Sequence, residues 1–257
     1  MAHQVVKHNM DGTLQTITRN ADADLQAEFD KLISNFSHDV GASMRAISDI
    51  PRWILQDVED AGIELPDEIL ANLQMLIRQS SRFVQLTQDF ATYSRVGREQ
   101  VITFIDPAKV LEEVLSGFDI GSKCLITNNV SPCQIWISKH DLATLFESIV
   151  SNAFKHNDRS KAALTINSSE MDGFVTIEFS DDGPGIREDM QGKIFEMMKT
   201  LKSKDQVEGS GLGLAICKKI CKIYEGKIWL KSSPPNRGTT FGLVFPIRSE
   251  QNSTETI

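Results

Sequence analysis

SDDGPGI, residues 180–186, places a carboxylate and two glycines in one turn directly after a β-rich run. Asp181 can accept a hydrogen bond from an exocyclic amine such as that of adenine, while Gly183 and Gly185 let the backbone turn tightly against a flat base. A DG followed by PG is also ordinary turn chemistry, so the stretch alone leaves both readings open. Its neighbours along the chain narrow them. Upstream, SNAFKHN (151–157) ends an apolar helix. There Asn152 and Lys155 are three apart and share a face, and an amide oxygen beside an ammonium group suits a magnesium ion beside a phosphate chain. A plain polar helix end has the same composition. Downstream, EGSGLGLAI (208–216) brings Gly209, Gly211 and Gly213 to the start of a helix, where backbone amides bind phosphate and glycines let the chain approach it. It is not a dinucleotide-binding loop, because GSGLG lacks the final spacing, nor a P-loop, because GSGLGLA lacks the GK pair.

These segments sit in a half of the chain built from short β-rich runs alternating with helices. VITFI (101–105), CQIWI (133–137), ALTINSS (163–169), FVTIEFS (174–180), KIWLKSS (227–233) and TTFGLVFPI (239–247) read as strands. One helix starts at Ser138, an N-cap with Asp141 three residues on, and continues through Asn152; another runs roughly from Leu212 to Tyr224. That half is an α/β layer structure of about 160 residues.

The first half has a different period. Residues 1–21 carry no sustained apolar pattern and read as a loose leader. From Leu25 onward Phe29, Leu32, Phe36, Val40, Met44 and Ile47 recur at intervals of three and four, the mark of a long amphipathic helix. A turn follows around 60–66, with Gly62 breaking the pattern and Pro66 suited to a first helical position. The next helix repeats Ile69, Leu76, Phe83 and Phe90 at a spacing of seven, which predicts a left-handed helical seam. The apolar faces of such a hairpin are too wide to cover each other, and dimerisation into a four-helix bundle is the economical solution. FSHD (36–39) lies in the first helix. With Leu25 at zero and ~100° per residue, the apolar stripe centres near ~40° and His38 falls near ~220°, away from it. Asp39 can orient the imidazole, and Gly41, costly in mid-helix by ~1 kcal/mol, leaves room for something to approach.

Composition bounds the function. A formal charge of -8, from 27 Lys and Arg against 35 Asp and Glu, argues against nucleic acid or an anionic membrane as a bulk electrostatic partner. No apolar stretch approaches the ~20 residues that span a bilayer, and no signal peptide opens the chain, so a cytoplasmic location without membrane insertion is expected. Cys124, Cys133, Cys217 and Cys221 include no CxxC pair and read as free thiols.

Taken in order, SNAFKHN, SDDGPGI and EGSGLGLAI resemble the N, G1 and G2 boxes of the GHKL ATP-binding domain of sensor histidine kinases. KIFEMMKTL (193–201) resembles the F box, RGTTFGLVFP (237–246) the last glycine box, and FSHD the H box. The resemblance implies a HisKA-type dimerisation and phosphoacceptor hairpin, over residues 22–97, dimerising into a four-helix bundle. A GHKL (Bergerat) α/β sandwich with a mixed sheet follows over 98–248, and a tail over 249–257. It implies that His38 accepts a phosphoryl group from MgATP, with Asp39 as acid/base partner, and passes it to an aspartate of a response-regulator receiver domain. Asn152 would be the magnesium ligand, Lys155 and His156 would lie at the phosphates, and Asp181 would read adenine between Gly183 and Gly185. Gly209, Ser210, Gly211, Leu212, Gly213 and Thr240 would complete the ATP site. Lys199, Lys202 and Lys204 fall in the lid. A homodimer, with a separate sensor protein or domain, completes the expectation. The alternatives are a phosphotransfer adaptor with a degenerate ATP domain and a GHKL ATPase that never phosphorylates itself. Four positions depart from the family: Ser148 replaces an asparagine of the N box, and Gly41, Ala42 and Ser43 stand where a polar residue, a threonine or asparagine and then a proline often follow the H box.

Overall fold

The computed structural model describes residues 2–98, 101–118, 124–199, 210–232 and 237–248; the side chains of 2–27, 30, 38, 42 and 232 are outside that description. The chain divides into two compact units, Met1–Arg95 and Val96–Ile257.

Two helices form the first unit, α1 (Ala2–Asp60) and α2 (Asp67–Arg95). α1 starts at Ala2, where a loose leader was expected over 1–21. An apolar period marks a packing face, but a nucleated helix extends without one because each added residue closes another hydrogen bond. The end of α1 is written locally. Gly62 takes φ +66, its N–H donates to the Glu59 carbonyl at 3.0 Å, and the Ile63 N–H donates to Val58 at 3.0 Å, a Schellman stop. Pro66 lies one residue before α2, its carbonyl accepting from Ile69 at 2.9 Å.

The contact between these helices is not the apolar stripe. Ser37, Gly41, Ser48 and Pro51 are buried on α1, and Ser80, Thr87 and Ser94, seven apart, on α2. On the ~100° wheel these α1 positions fall near ~80–160°, a flank of the stripe at ~40°. Small residues let two helix backbones approach, and three of their hydroxyls return to their own helix: Ser80 to Leu76 O at 2.8 Å, Thr87 to Val84 O at 2.8 Å, Ser94 to Ala91 O at 2.9 Å. What approaches Gly41 is Thr87, whose Oγ1 lies 3.7 Å from where a Cβ would stand. Most of the heptad read as the seam is left open instead: Ile69 is 46%, Leu76 45% and Phe83 37% exposed, with Phe90 half-buried, and Phe36 on α1 is 50% exposed.

The second unit has a two-stranded sheet, β1 (Ile102–Ile105) against β3 (Ile135–Ser138). Beside it stands a five-stranded mixed sheet made of β2 (Cys124–Asn129), β4 (Ala162–Met171), β5 (Phe174–Asp181), β7 (Thr239–Pro246) and β6 (Lys227–Ser232) in that order. β2 runs parallel to β4 and the other pairings are antiparallel. The helices are α3 (Pro107–Gly117), α4 (Lys139–Lys155), the short α5 (Glu188–Gln191) and α6 (Gly213–Ile223). Alternation in β5 buries Val175, Ile177 and Phe179. Phe146 of α4 meets Phe179 with ring centroids 5.7 Å apart, and Leu142, Leu145 and Ile149 fill the layer between. The expected N-cap is present, Ser138 Oγ accepting from Asp141 N at 3.4 Å. Asp141 itself, 1% exposed, accepts from Tyr224 Oη at 2.6 Å and from Gly97 N at 3.0 Å, joining the start of α4 to the end of α6. α3, capped by Asp106 with Pro107 behind it, and the edge strand β2 were not read from the sequence.

Candidate functional site

α4 is the element around which the predicted segments gather. Its last turn carries Asn152, half-buried, and Lys155, exposed, and His156 caps it with its N–H on the Asn152 carbonyl at 3.2 Å. One turn earlier Ser148 meets the next segment: a Cβ on Gly213 would stand 3.9 Å from Ser148 Cβ. Asn152 follows Ser148 by four residues, so the candidate metal ligand shares the face that receives the first turn of α6. Just past α4, Asn157 Cα lies 3.8 Å from where a Gly183 Cβ would stand, which brings in the 180–186 turn.

Asp181 ends β5. Its Oδ1 accepts from Gly183 N at 2.8 Å, and the Thr239 N–H points at the same carboxylate. Burial raises its pKa above the ordinary aspartate value, the amides of Gly183 and Thr239 oppose that, and the neighbouring Asp182 charge adds to it. Gly183 is buried, and a Cβ there would stand 2.9 Å from Asp181 Oδ1 and displace that carboxylate. Gly185 takes φ +81. Gly238 closes the cradle from β7, donating to Gly183 O at 2.7 Å, and its own Cβ position lies 2.8 Å from Asp181 O. Thr240 is turned to Ser180, the two hydroxyl oxygens 3.0 Å apart.

At α6, Ser210 is buried and its Oγ accepts from Leu212 N at 3.0 Å. Leu212 is the N-cap and makes no side-chain cap, so the first amides of α6 are not taken by a capping side chain. Gly211 takes φ +74 and lies under the Met198–Lys199 backbone, where a Cβ would meet Lys199 O at 2.8 Å. Lys199 is exposed beside Glu196, at 3.7 Å. Gly209, Lys202 and Lys204 lie outside the described residues.

In the first unit His38 and Asp39 are on α1, and Asp39 is exposed. The His38 and Ala42 side chains lie outside the description. Among the described residues no group of three or more His, Cys, Asp or Glu side chains could hold a metal, and no helix is long and apolar enough to cross a membrane.

Four neighbours of Asp181 carry no role in the sequence reading: Asn157, Asp182, Gly238 and Thr239. Each stands inside or beside a quoted motif, but only strand pairing shows that Thr239 is the Cα partner of Asp181. The cysteines are buried or half-buried thiols, with Cys217 pushed up to about 12 by burial.

Residues 138–249 match the family described as histidine kinase-, DNA gyrase B- and HSP90-like ATPase. The phytochrome-like protein Cph1 of Synechocystis is 24% identical over 240 residues, covering 91% of this chain and 31% of that protein. The sensor-like histidine kinase SenX3 of Mycolicibacterium smegmatis is 24% identical over 233 residues, covering 87% of this chain and 59% of that one. Among solved structures, full-length ShkA in complex with AMPPNP superposes with a TM-score of 0.61 at 20% identity, over 85% of this chain and 46% of ShkA. That likeness concerns the fold. The chain thus spans about a third of Cph1 and less than half of ShkA.

Proposed function

We propose, from the premise that residues 138–249 are an ATPase domain of this kind within a sensor histidine kinase core, that the chain is an ATP-dependent protein-histidine kinase. The observation that carries the nucleotide reading is the convergence on α4: the glycine start of α6 at Ser148, and the Asp181 cradle at Asn157. A base held at Asp181 and phosphates at the α6 amides would both have α4 beside them. Asp181 offers a carboxylate already oriented by two amides, and orientation before binding is what makes a single acceptor selective for an adenine amine.

His38 is the proposed acceptor. Its ring nitrogen attacks the γ-phosphorus, the bond from that phosphorus to the bridging oxygen breaks, ADP leaves, and Asp39 takes the imidazole proton. The phosphoryl group then passes to an aspartate of a response-regulator receiver domain. Magnesium would be held by Asn152 with the phosphate oxygens and water, supplying charge neutralisation; an ion that keeps most of its shell from phosphate and water needs no carboxylate cage, in keeping with the donor set present. Lys155 and His156 lie at the same helix end for the phosphates. The open heptad of α2 and the stripe of α1 support a homodimer closed by a second hairpin. A separate sensor protein or domain and a cytoplasmic site of action belong to the same proposal.

Incubation with γ-labelled ATP and magnesium is expected to label the chain with acid-labile, base-stable phosphate. His38→Gln should abolish that label while nucleotide affinity stays within about twofold, since the ATP contacts belong to the other unit. Equal labelling of the variant would remove His38 from the role. Hydrolysis of ATP without any label on the wild-type chain would point instead to an ATPase cycle.

A further inference from the structure

The carboxylate next to the adenine reader has three partners, two in the loop after α4 and one at the start of β4. Asp182 Oδ1 accepts from Asn157 Nδ2 at 2.8 Å and from Ala163 N at 2.9 Å, and Arg159 Nε stands 3.0 Å from its Oδ2. Its backbone joins in, the Asp182 N–H donating to Ala163 O at 3.2 Å and its carbonyl accepting from Arg159 Nε at 3.2 Å. Asn157 is the far end of that bridge. Its N–H is held by Phe154 O of α4 at 3.2 Å, and its Oδ1 accepts from Arg159 N at 2.9 Å. The amide thus has one arm in the turn after α4 and the other on Asp182.

Burial alone would raise the Asp182 pKa, but the Ala163 amide, the Asn157 amide and the Arg159 guanidinium together hold it below the ordinary aspartate value. The charged form is therefore the one the surroundings are built around. Asp181, one residue earlier, is shifted the opposite way. The two adjacent carboxylates are thus set apart: at Asp181 burial outweighs the Gly183 and Thr239 amides, whereas at Asp182 two amides and a guanidinium outweigh burial.

We propose that Asp182 is a positioning residue for the nucleotide: through Asn157 it fixes the last turn of α4, with Asn152, Lys155 and His156, against the loop that carries Asp181. The base-reading and phosphate-facing halves of the site lie on different elements, and their spacing has to match one ligand. A bridge of short hydrogen bonds to an ionised group sets that spacing more firmly than apolar packing, because it is directional and charge-assisted. Ala163 N anchors the same carboxylate to the sheet, so the α4 turn is referenced to β4. This inference rests on the ATP reading given above.

The test compares a ligand that spans both halves with one that reaches only the base pocket. MgATP and adenosine dissociation constants are measured on the full chain for wild type, Asp182→Ala, Asn157→Ala and the double variant. Asp182→Ala and Asn157→Ala should each weaken MgATP by about tenfold, the loss expected of a hydrogen bond to a charged group, and change adenosine by less than about twofold. The double variant should bind no worse than the weaker single variant, because both remove one bridge. Asp182→Asn keeps an acceptor for Ala163 and Asn157 and should lose less than Asp182→Ala; it and Asn157→Ala carry the comparison if Asp182→Ala does not fold. A parallel fall in MgATP and adenosine, additive losses, or MgATP affinity unchanged in all variants would each overturn the positioning role. Asp181→Asn separates the two levels. If it leaves MgATP binding unaltered, the nucleotide reading itself fails; if it weakens binding while the bridge variants do not, only the inference fails.

Discussion

At the scale of the residue, Asp181, the proposed adenine acceptor, differs in its electrostatics from its neighbour Asp182. Its pKa is raised chiefly by burial, so the protonated form is the one the fold prefers. Its favourable contribution is complete below the ordinary aspartate value and is lost as pH rises through its own raised value. At neutral pH its charge costs stability. Asp182, held low, has the opposite sign: its contribution is present above the ordinary value and is lost as pH falls through its depressed one. Asp181→Asn is therefore expected to weaken ATP by at least about tenfold without lowering the thermal midpoint of the free protein, since an amide oxygen still accepts from Gly183 N. ATP affinity of the wild type should begin to fall at a higher pH than an ordinary aspartate would give. Calorimetric binding across pH, with a melt of the ligand-free variant, checks both halves; a large loss of stability would identify Asp181 as a structural residue.

At the scale of the element, the α1–α2 contact buries a mid-helix glycine that its packing does not require. Gly41 would cost ~1 kcal/mol against alanine if it were merely exposed. It is instead buried against Thr87, and the space there holds a methyl group: a Cβ would lie 3.5 Å from Arg45 Nη1 and 3.7 Å from Thr87 Oγ1, both ordinary contacts. Gly41→Ala should accordingly raise the stability of the first unit by up to ~1 kcal/mol, a gain of a few degrees at most in its melting temperature. If circular-dichroism melts show a loss instead, the helices must approach more closely during the working cycle than they do here.

At the scale of the whole molecule, the proposed homodimer rests on the uncovered apolar faces of the hairpin. Phe29, Leu32, Phe36, Ile47, Ile69, Leu76 and Phe83 are all exposed in the single hairpin. Full burial of an exposed side chain of this kind contributes about 1.5–3 kcal/mol and these are already partly covered, so about half of that remains for each; seven on each of two chains would still outweigh much of an association cost on the order of 4–15 kcal/mol. Leu76→Glu combined with Phe83→Glu places two charges on that face and is expected to leave a monomer by light scattering at tens of micromolar. ATP affinity should stay unchanged, because the second unit has its own core. A wild-type chain that is already monomeric at that concentration would remove the homodimer from the proposal.

The sequence by itself determined where the two kinds of architecture meet, since a period of three to four gives way to short β-rich runs near residue 98 and each period belongs to one class of local geometry. It also determined both ends of α4, the Gly62 stop, and the position of Asp181 at the exit of a strand, because caps and turns are written in adjacent residues. The Asp-Pro cap at 106–107 followed by the apolar and charged run VLEEVL (110–115) was legible as α3 in the same terms and went unread. Which face of the hairpin closes was beyond the sequence: hydrophobicity marked the stripe, but backbone approach is governed by side-chain size, and the serines and threonines seven apart won the intramolecular contact. The partners of Asp181 and Asp182 were equally beyond it. Thr239, Gly238 and Asn157 lie tens of residues away in the chain, and only the register of β5 with β7 and the packing of the α4 turn bring them to those carboxylates.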